Sequence, residues 1–123
     1  MIERLWWTAG WLGIALTLVA SLTPPVLSEA SHADKLVHLS GYAVLMFWWA
    51  QVITQRRWRL AAAVILLGAA IELLQGLTPN RQPDLADALA NSAGVLIGWL
   101  VARLLAASPV LPKYLATLPA LRR

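Results

Sequence analysis

Four apolar runs set the pattern of the chain: Leu5 to Leu22, Leu36 to Ile53, Leu60 to Leu77 and Leu85 to Ala107. Each holds about 18 to 23 residues, enough at ~1.5 Å of rise per residue to cross a hydrocarbon core ~30 Å thick. The residues between them read as helix ends. Thr23-Pro24-Pro25 stops the first run, because proline cannot continue a helix. Ser31 or Asp34 can cap the second, which ends at the turn Gln55-Arg56-Arg57-Trp58-Arg59. Gly76 and Thr78-Pro79-Asn80 close the third. Asp84 places a negative charge at the start of the fourth, where the helix dipole favours it, and Ser108-Pro109 ends that run. The pattern predicts an all-α fold, a single membrane domain over residues 1–123 arranged as a four-transmembrane-helix bundle. Residues 108–123, broken by three prolines, are too short to span again and are expected to form a tail.

Composition agrees with this reading. The chain is 13% charged, against about 25% for soluble domains, and its mean hydropathy is +0.65. Charge then supplies an orientation. Arg4, Arg56, Arg57, Arg59, Arg103, Lys113, Arg122 and Arg123 gather at one set of helix ends, and only Lys35 and Arg81 at the other. By the positive-inside rule both termini are cytoplasmic, an N-in/C-in multi-pass protein. Glu29, Asp34, Glu72, Asp84 and Asp87 then fall at or near the outer face. The net charge of +4 is therefore a topology signal with some attraction to anionic membrane lipids, and no nucleic-acid partner is expected. The seven tryptophans fall in the cytoplasmic half, where they read as interfacial anchors. The first run exceeds the usual 7–15-residue core of a signal peptide and is expected to be retained as a helix.

Candidate chemistry is confined to the outer ends. Asp34, Lys35, His38 and Tyr42 lie on the second helix, Glu72 and Gln75 on the third, and Asp84, Asp87 and Asn91 on the fourth, with Arg81 just before it. At 100° per residue each helix presents these groups as one narrow stripe. Polar groups are costly in hydrocarbon, so the stripes are expected to turn toward one another into a shared polar pocket. Glu72 lies deepest and needs a partner, for which Arg81, Lys35 and His38 are the available cations. A purely structural polar lock, with Arg81 and Lys35 neutralising Glu72, Asp84 and Asp87 while Gln75 and Asn91 bond backbone, is the plain alternative. The chain has no HExxH, G-x-S-x-G or P-loop, and no cysteine. Asp34, His38, Glu72 and Asp87 could ligate a divalent cation, but their spacing specifies none, so no metal and no cofactor are expected. On the fourth helix Ala90, Gly94 and Gly98 form a small-residue ridge that permits close helix approach, either inside the chain or in a homo-oligomer.

Asp34-Lys35-x-x-His38-x-x-x-Tyr42, Glu72-x-x-Gln75, Arg81 and Asp87-x-x-x-Asn91-x-x-Gly94-x-x-x-Gly98, in that order on successive helices, resemble the VanZ-like family of small bacterial membrane proteins. The resemblance runs from about Asp34 to Trp99. It implies residence in the bacterial cytoplasmic (inner) membrane and a role in the cell envelope; the family takes its name from a protein linked to low-level teicoplanin resistance. The function expected is binding or modulating an envelope component through the outer-face pocket, with a lipid-linked or phosphate-bearing group as the ligand. A membrane-embedded enzyme acting on an envelope lipid and a structural helix-packing partner are the rival readings.

Overall fold

The computed structural model describes residues 2–23, 32–79 and 81–107. Four helices follow in order: α1 (Ile2–Leu22), α2 (His32–Val52), α3 (Arg57–Gly76) and α4 (Leu85–Ala107). The described residues are all-α, as the apolar runs predict. The Pro24-Pro25 stop, the Ser31 cap, Glu29, Asn80, the Ser108-Pro109 stop and the tail with Lys113, Arg122 and Arg123 lie outside the described residues.

Three helix starts come earlier than the hydropathy places them. α1 begins at Ile2, α2 at His32 and α3 at Arg57, because an apolar run marks the hydrocarbon-facing part of a helix rather than its hydrogen-bonded length. For α2 the difference matters, since Asp34 lies inside the first turn and is not the cap. Glu3–Leu22, Arg57–Gly76 and Leu85–Ala106 are long and apolar enough to cross a membrane. α2 is as long as α1 but carries Asp34, Lys35, His38, Ser40, Tyr42 and Gln51, and it is not among those three.

α2 and α4 form the centre of the molecule. Val95 and Met46 are fully buried between them, with Tyr42, Leu45, Trp49, Ala50 and Ala102 completing the core. Glycine sets the spacing. A β-carbon on Gly94 would overlap the Leu39 carbonyl oxygen, and one on Gly98 would overlap that of Ala43. Gly94 and Gly98 of the small-residue ridge therefore face α2 of the same chain.

The turn from α2 to α3 is tied by Arg57. Its Nε and Nη2 donate to the Ala50 carbonyl at 3.0 and 2.7 Å, satisfying one of the acceptors a helix end leaves open. Arg56 precedes α3 in the left-handed region, at φ 49°. Between α3 and α4, Gly76 lets the chain fold back: a β-carbon there would strike the Pro83 ring at 2.5–2.7 Å. Asp84 then caps α4, its Oδ1 accepting the Ala86 N–H at 2.8 Å.

α1 is bound differently. Trp6 stacks on Trp48 with centroids 4.2 Å apart, and Trp7 and Trp11 each meet the Trp49 ring edge-on at 5.4 Å. Trp48 Nε1 also donates to the Trp6 carbonyl at 3.1 Å. Five of the seven tryptophans thus join α1 to α2, a packing role beyond that of interfacial anchors.

The surface is inverted relative to a soluble protein. Leu12, Val19, Val44, Leu66, Leu73, Leu89 and Leu104 are exposed, whereas Glu72, Gln75, Asp87 and Asn91 are buried. Apolar side chains outside and carboxylates inside is the arrangement a lipid environment favours.

Candidate functional site

The polar stripes of α2, α3 and α4 meet at one end of the molecule, joined by the end of α1. Lys35 of α2 reaches across to α4, where its Nζ donates to Asp84 Oδ2 at 2.8 Å and closely to Asp87 Oδ1. One turn deeper, His38 Nδ1 lies 3.0 Å from Asn91 Oδ1. The other ring nitrogen, Nε2, faces two carboxylates: Asp34 Oδ2 at 3.7 Å and Asp87 Oδ2 at 3.9 Å. The helical spacing explains the register. Lys35 and His38 lie three apart on α2, Asp87 and Asn91 four apart on α4, so the two rows face each other rung by rung.

α3 contributes from the side. Glu72 is 5% exposed; its Oε1 accepts the Asp84 backbone N–H at 2.7 Å, serving one of the donors an N-terminal turn leaves open. Its Oε2 is buried without a hydrogen-bond partner, as is the Tyr42 hydroxyl. Tyr42 packs beneath the cluster close against α3: a β-carbon on Gly68 would sit 3.1 Å from the Tyr42 ring, which would have to give by a few tenths of an ångström, and 3.5 Å from Asn91 Cβ.

Gln75 and Arg81 serve α1. Gln75 Nε2 donates to the Ser21 carbonyl at 2.7 Å, and Arg81 Nη1 donates to the same oxygen. Ser21 lies in the last turn of α1, where carbonyls have no intrahelical donor. The lock pictured from the sequence is thus partly redrawn. Lys35 neutralises Asp84 and Asp87, and Gln75 bonds backbone, as that picture has it; Asn91 bonds His38 instead. Neither Ser21, a backbone acceptor, nor Gly68 carries a sequence signal, and both were missed. Gln82 was missed too, although it lines the cavity at the centre of the cluster.

That cavity measures ≈ 20 Å³ and is walled by Asp34, His38, Glu72, Gln75, Arg81, Gln82, Asp84 and Asp87. It has room for about one water molecule or one ion. In the connecting segment, the Lys35 ammonium holds the Asp84 carboxyl below its ordinary value, and the Ala86 N–H adds to the effect. A larger groove of ≈ 530 Å³ opens between α1 and α2, lined by Gly10, Gly13, Leu16, Gly41, Val44 and others. It contains no ionisable group and presents hydrocarbon to hydrocarbon. The ionisable groups line the small cavity.

Apolar spans enclosing a buried ionisable cluster define a multi-pass helical membrane protein. The chain belongs to the VanZ/LLP1 family, whose model matches residues 3–106. No curated protein and no solved structure matches the chain.

Proposed function

We propose that the protein is a four-span protein of the bacterial inner membrane, both termini cytoplasmic, whose outer-face cluster binds the polar head of an envelope component. The observation that carries this reading is Glu72 Oε2: a carboxylate oxygen buried without a partner, on the wall of a cavity shared with seven other polar residues. A group in that state costs about 1–3 kcal/mol or more. A purely structural lock would pair it.

Spanning by α2 is supported by its place between α1, α3 and α4, where Asp34, Lys35, His38 and Tyr42 are buried or half-buried against protein. The basic residues Arg4, Arg56, Arg57, Arg59 and Arg103 lie at the end opposite the cluster, and the positive-inside rule favours an outer face for the cluster. A phosphate-bearing or lipid-linked head is the ligand class favoured by depth, because the cluster sits where headgroups begin. Lys35 and Arg81, the cations at that depth, would have to give up present partners to meet the ligand. Lys35 is committed to Asp84 and Asp87, and Arg81 to the Ser21 carbonyl.

The test is retention of native lipid. The wild-type protein and its Glu72→Gln and His38→Ala variants, purified gently at equal membrane abundance, are compared by native mass spectrometry. A defined envelope lipid carried by the wild type and lost from both variants supports the site. Equal retention in all three rejects it.

A further inference from the structure

Charge is the unresolved feature of the cluster. Four carboxylates (Asp34, Glu72, Asp84, Asp87) gather with two permanent cations (Lys35, Arg81), leaving two negative charges in excess when all four are ionised and His38 is neutral. Lys35 takes Asp84 Oδ2 and Asp87 Oδ1, and the carboxylate oxygens that face His38 are Asp34 Oδ2 and Asp87 Oδ2.

The histidine is oriented for that neighbourhood. Asn91 Oδ1 can only accept, so the proton of neutral His38 belongs on Nδ1, and the lone pair belongs on Nε2. Nε2 lies 3.7 Å from Asp34 Oδ2 and 3.9 Å from Asp87 Oδ2. Three electron-rich atoms facing one another repel unless a positive charge sits among them. Asp34, His38 and Asp87 each offer one such atom, and all three lie within 4.8 Å of one another. Ligand atoms ~2.0–2.2 Å from one tetrahedral metal stand roughly 3.3–3.6 Å apart, so binding draws the set together by up to about 1 Å. The adjoining cavity of ≈ 20 Å³ has room for one ion. Glu72, which lines the same cavity, contributes the independent sign of a missing partner, with Oε2 unpaired at 5% exposure.

We infer that Asp34 Oδ2, His38 Nε2 and Asp87 Oδ2 form a binding site for one divalent first-row cation of the Zn²⁺ or Mn²⁺ class. One imidazole with carboxylates suits that class, whereas Ca²⁺ takes six to eight oxygens. Asn91 is a positioning residue, fixing the imidazole through its far nitrogen as outer-shell partners of metal-bound histidines do. The sequence spacing alone pointed to no metal; the fold brings together residues 53 positions apart (34 and 87). The inference deepens the headgroup reading and rests on it, because a dication would offset the cluster's negative excess and give a phosphate something to bind.

The full-length protein in detergent is stripped with a chelator, then titrated with Zn²⁺ and with Mn²⁺. Bound metal is counted by mass spectrometry, affinity is read by calorimetry, and helicity is followed by circular dichroism. One ion per chain is expected, with affinity falling at least about tenfold in His38→Ala and Asp34→Asn, and by about 10–100-fold in Asn91→Ala. Glu3→Gln, at the opposite end of α1, should bind as the wild type does. Cobalt substitution should give a visible spectrum that His38→Ala abolishes. Absence of stoichiometric binding overturns the site, as does equal binding in helical His38→Ala and Asp34→Asn. The two readings separate cleanly: envelope lipid retained by a protein that binds no metal sinks the cation site alone, whereas one bound ion without retained lipid upholds it and sinks the headgroup reading.

Discussion

Replacing Gly94 by alanine adds a single methyl group at the closest approach of α2 and α4. The ideal β-carbon overlaps the Leu39 carbonyl oxygen and lies 3.0 Å from Leu39 C and 3.1 Å from Ala43 N. All three are backbone atoms, so no side chain can swing aside. Carbon–oxygen contacts of this kind close to ~3.3 Å, so the helices must separate by about 1 Å. A gap of that size forfeits about a quarter to a half of the dispersion well at each displaced contact. It also lengthens the His38–Asn91 bond, now 3.0 Å, toward the limit of hydrogen bonding. Within a bilayer this packing is what holds helices together, since burial from lipid gains no hydrophobic free energy.

Alanine is also the better helix former by about 1 kcal/mol, which would mask part of the strain. Gly41 on α2 supplies the internal control. It lies within a helix too, and a β-carbon there meets nothing within 4 Å. The propensity gain is common to both variants and cancels between them, leaving the overpacking cost of about 1–3 kcal/mol as their difference. Unfolding by SDS titration in mixed micelles, followed by circular dichroism, measures it. Gly41→Ala should be as stable as the wild type or slightly more so, and Gly94→Ala clearly less stable than Gly41→Ala. Equal stabilities would refute the close crossing. Altered oligomeric state at unchanged monomer stability would instead assign the ridge to contacts between copies.

Four further outcomes are expected. The chain has no native cysteine, so single-cysteine labelling reads orientation directly: Gln82→Cys should react with an impermeant maleimide on intact cells and Trp58→Cys only after permeabilisation, and the reverse pattern would invert the proposed topology. Gln75→Leu removes one of the donors to the Ser21 carbonyl and should cost about 1 kcal/mol, with hydrogen exchange accelerated in the last turn of α1 and unchanged in α4; uniform acceleration would contradict a local cap. Because the folded Asp84 carboxyl is held below its unfolded value, its contribution is present above about pH 4 and disappears as pH falls through the folded value; Asp84→Asn should flatten that acid limb of the stability profile, and an unaltered limb would exclude the Lys35 pairing as its source. Tyr42→Phe deletes a buried hydroxyl that has no partner and should leave stability equal or higher; a marked loss would mean the hydroxyl is bonded in the membrane.

What the sequence made legible divides along a physical line. Side-chain chemistry that hydrocarbon penalises could be read: the convergence of Lys35, His38, Asp84, Asp87 and Asn91 follows from helical periodicity plus the cost of exposing such groups to lipid. Partner choice within the cluster could not be read. His38 pairs with Asn91 rather than serving Glu72 because of the axial register of α2 against α4, which the glycines set and a helical wheel does not contain. Backbone acceptors are equally silent. The Ser21 carbonyl accepts from both Gln75 and Arg81, and nothing about serine at that position announces it. Helix starts were displaced for a simpler reason: His32, Asp34 and Lys35 lower hydropathy without lowering helicity.

The attachment of α1 ties these observations together. In its most apolar window only 6% is buried, against 33% in α3 and 28% in α4, so α1 cannot be held along its length by core packing. It is held at its ends. Near its start, Trp6 and Trp48 stack and share a hydrogen bond; near its finish, Gln75 and Arg81 converge on Ser21. Between these clamps the apolar groove opens. Gln75 and Arg81 also wall the polar cavity, so lifting the end of α1 would remove their shared acceptor. The Arg81 guanidinium would then lose one acceptor beside four carboxylates whose balance it affects. Docking of α1 and the electrostatics of the cluster are therefore one equilibrium, joined through a single carbonyl oxygen.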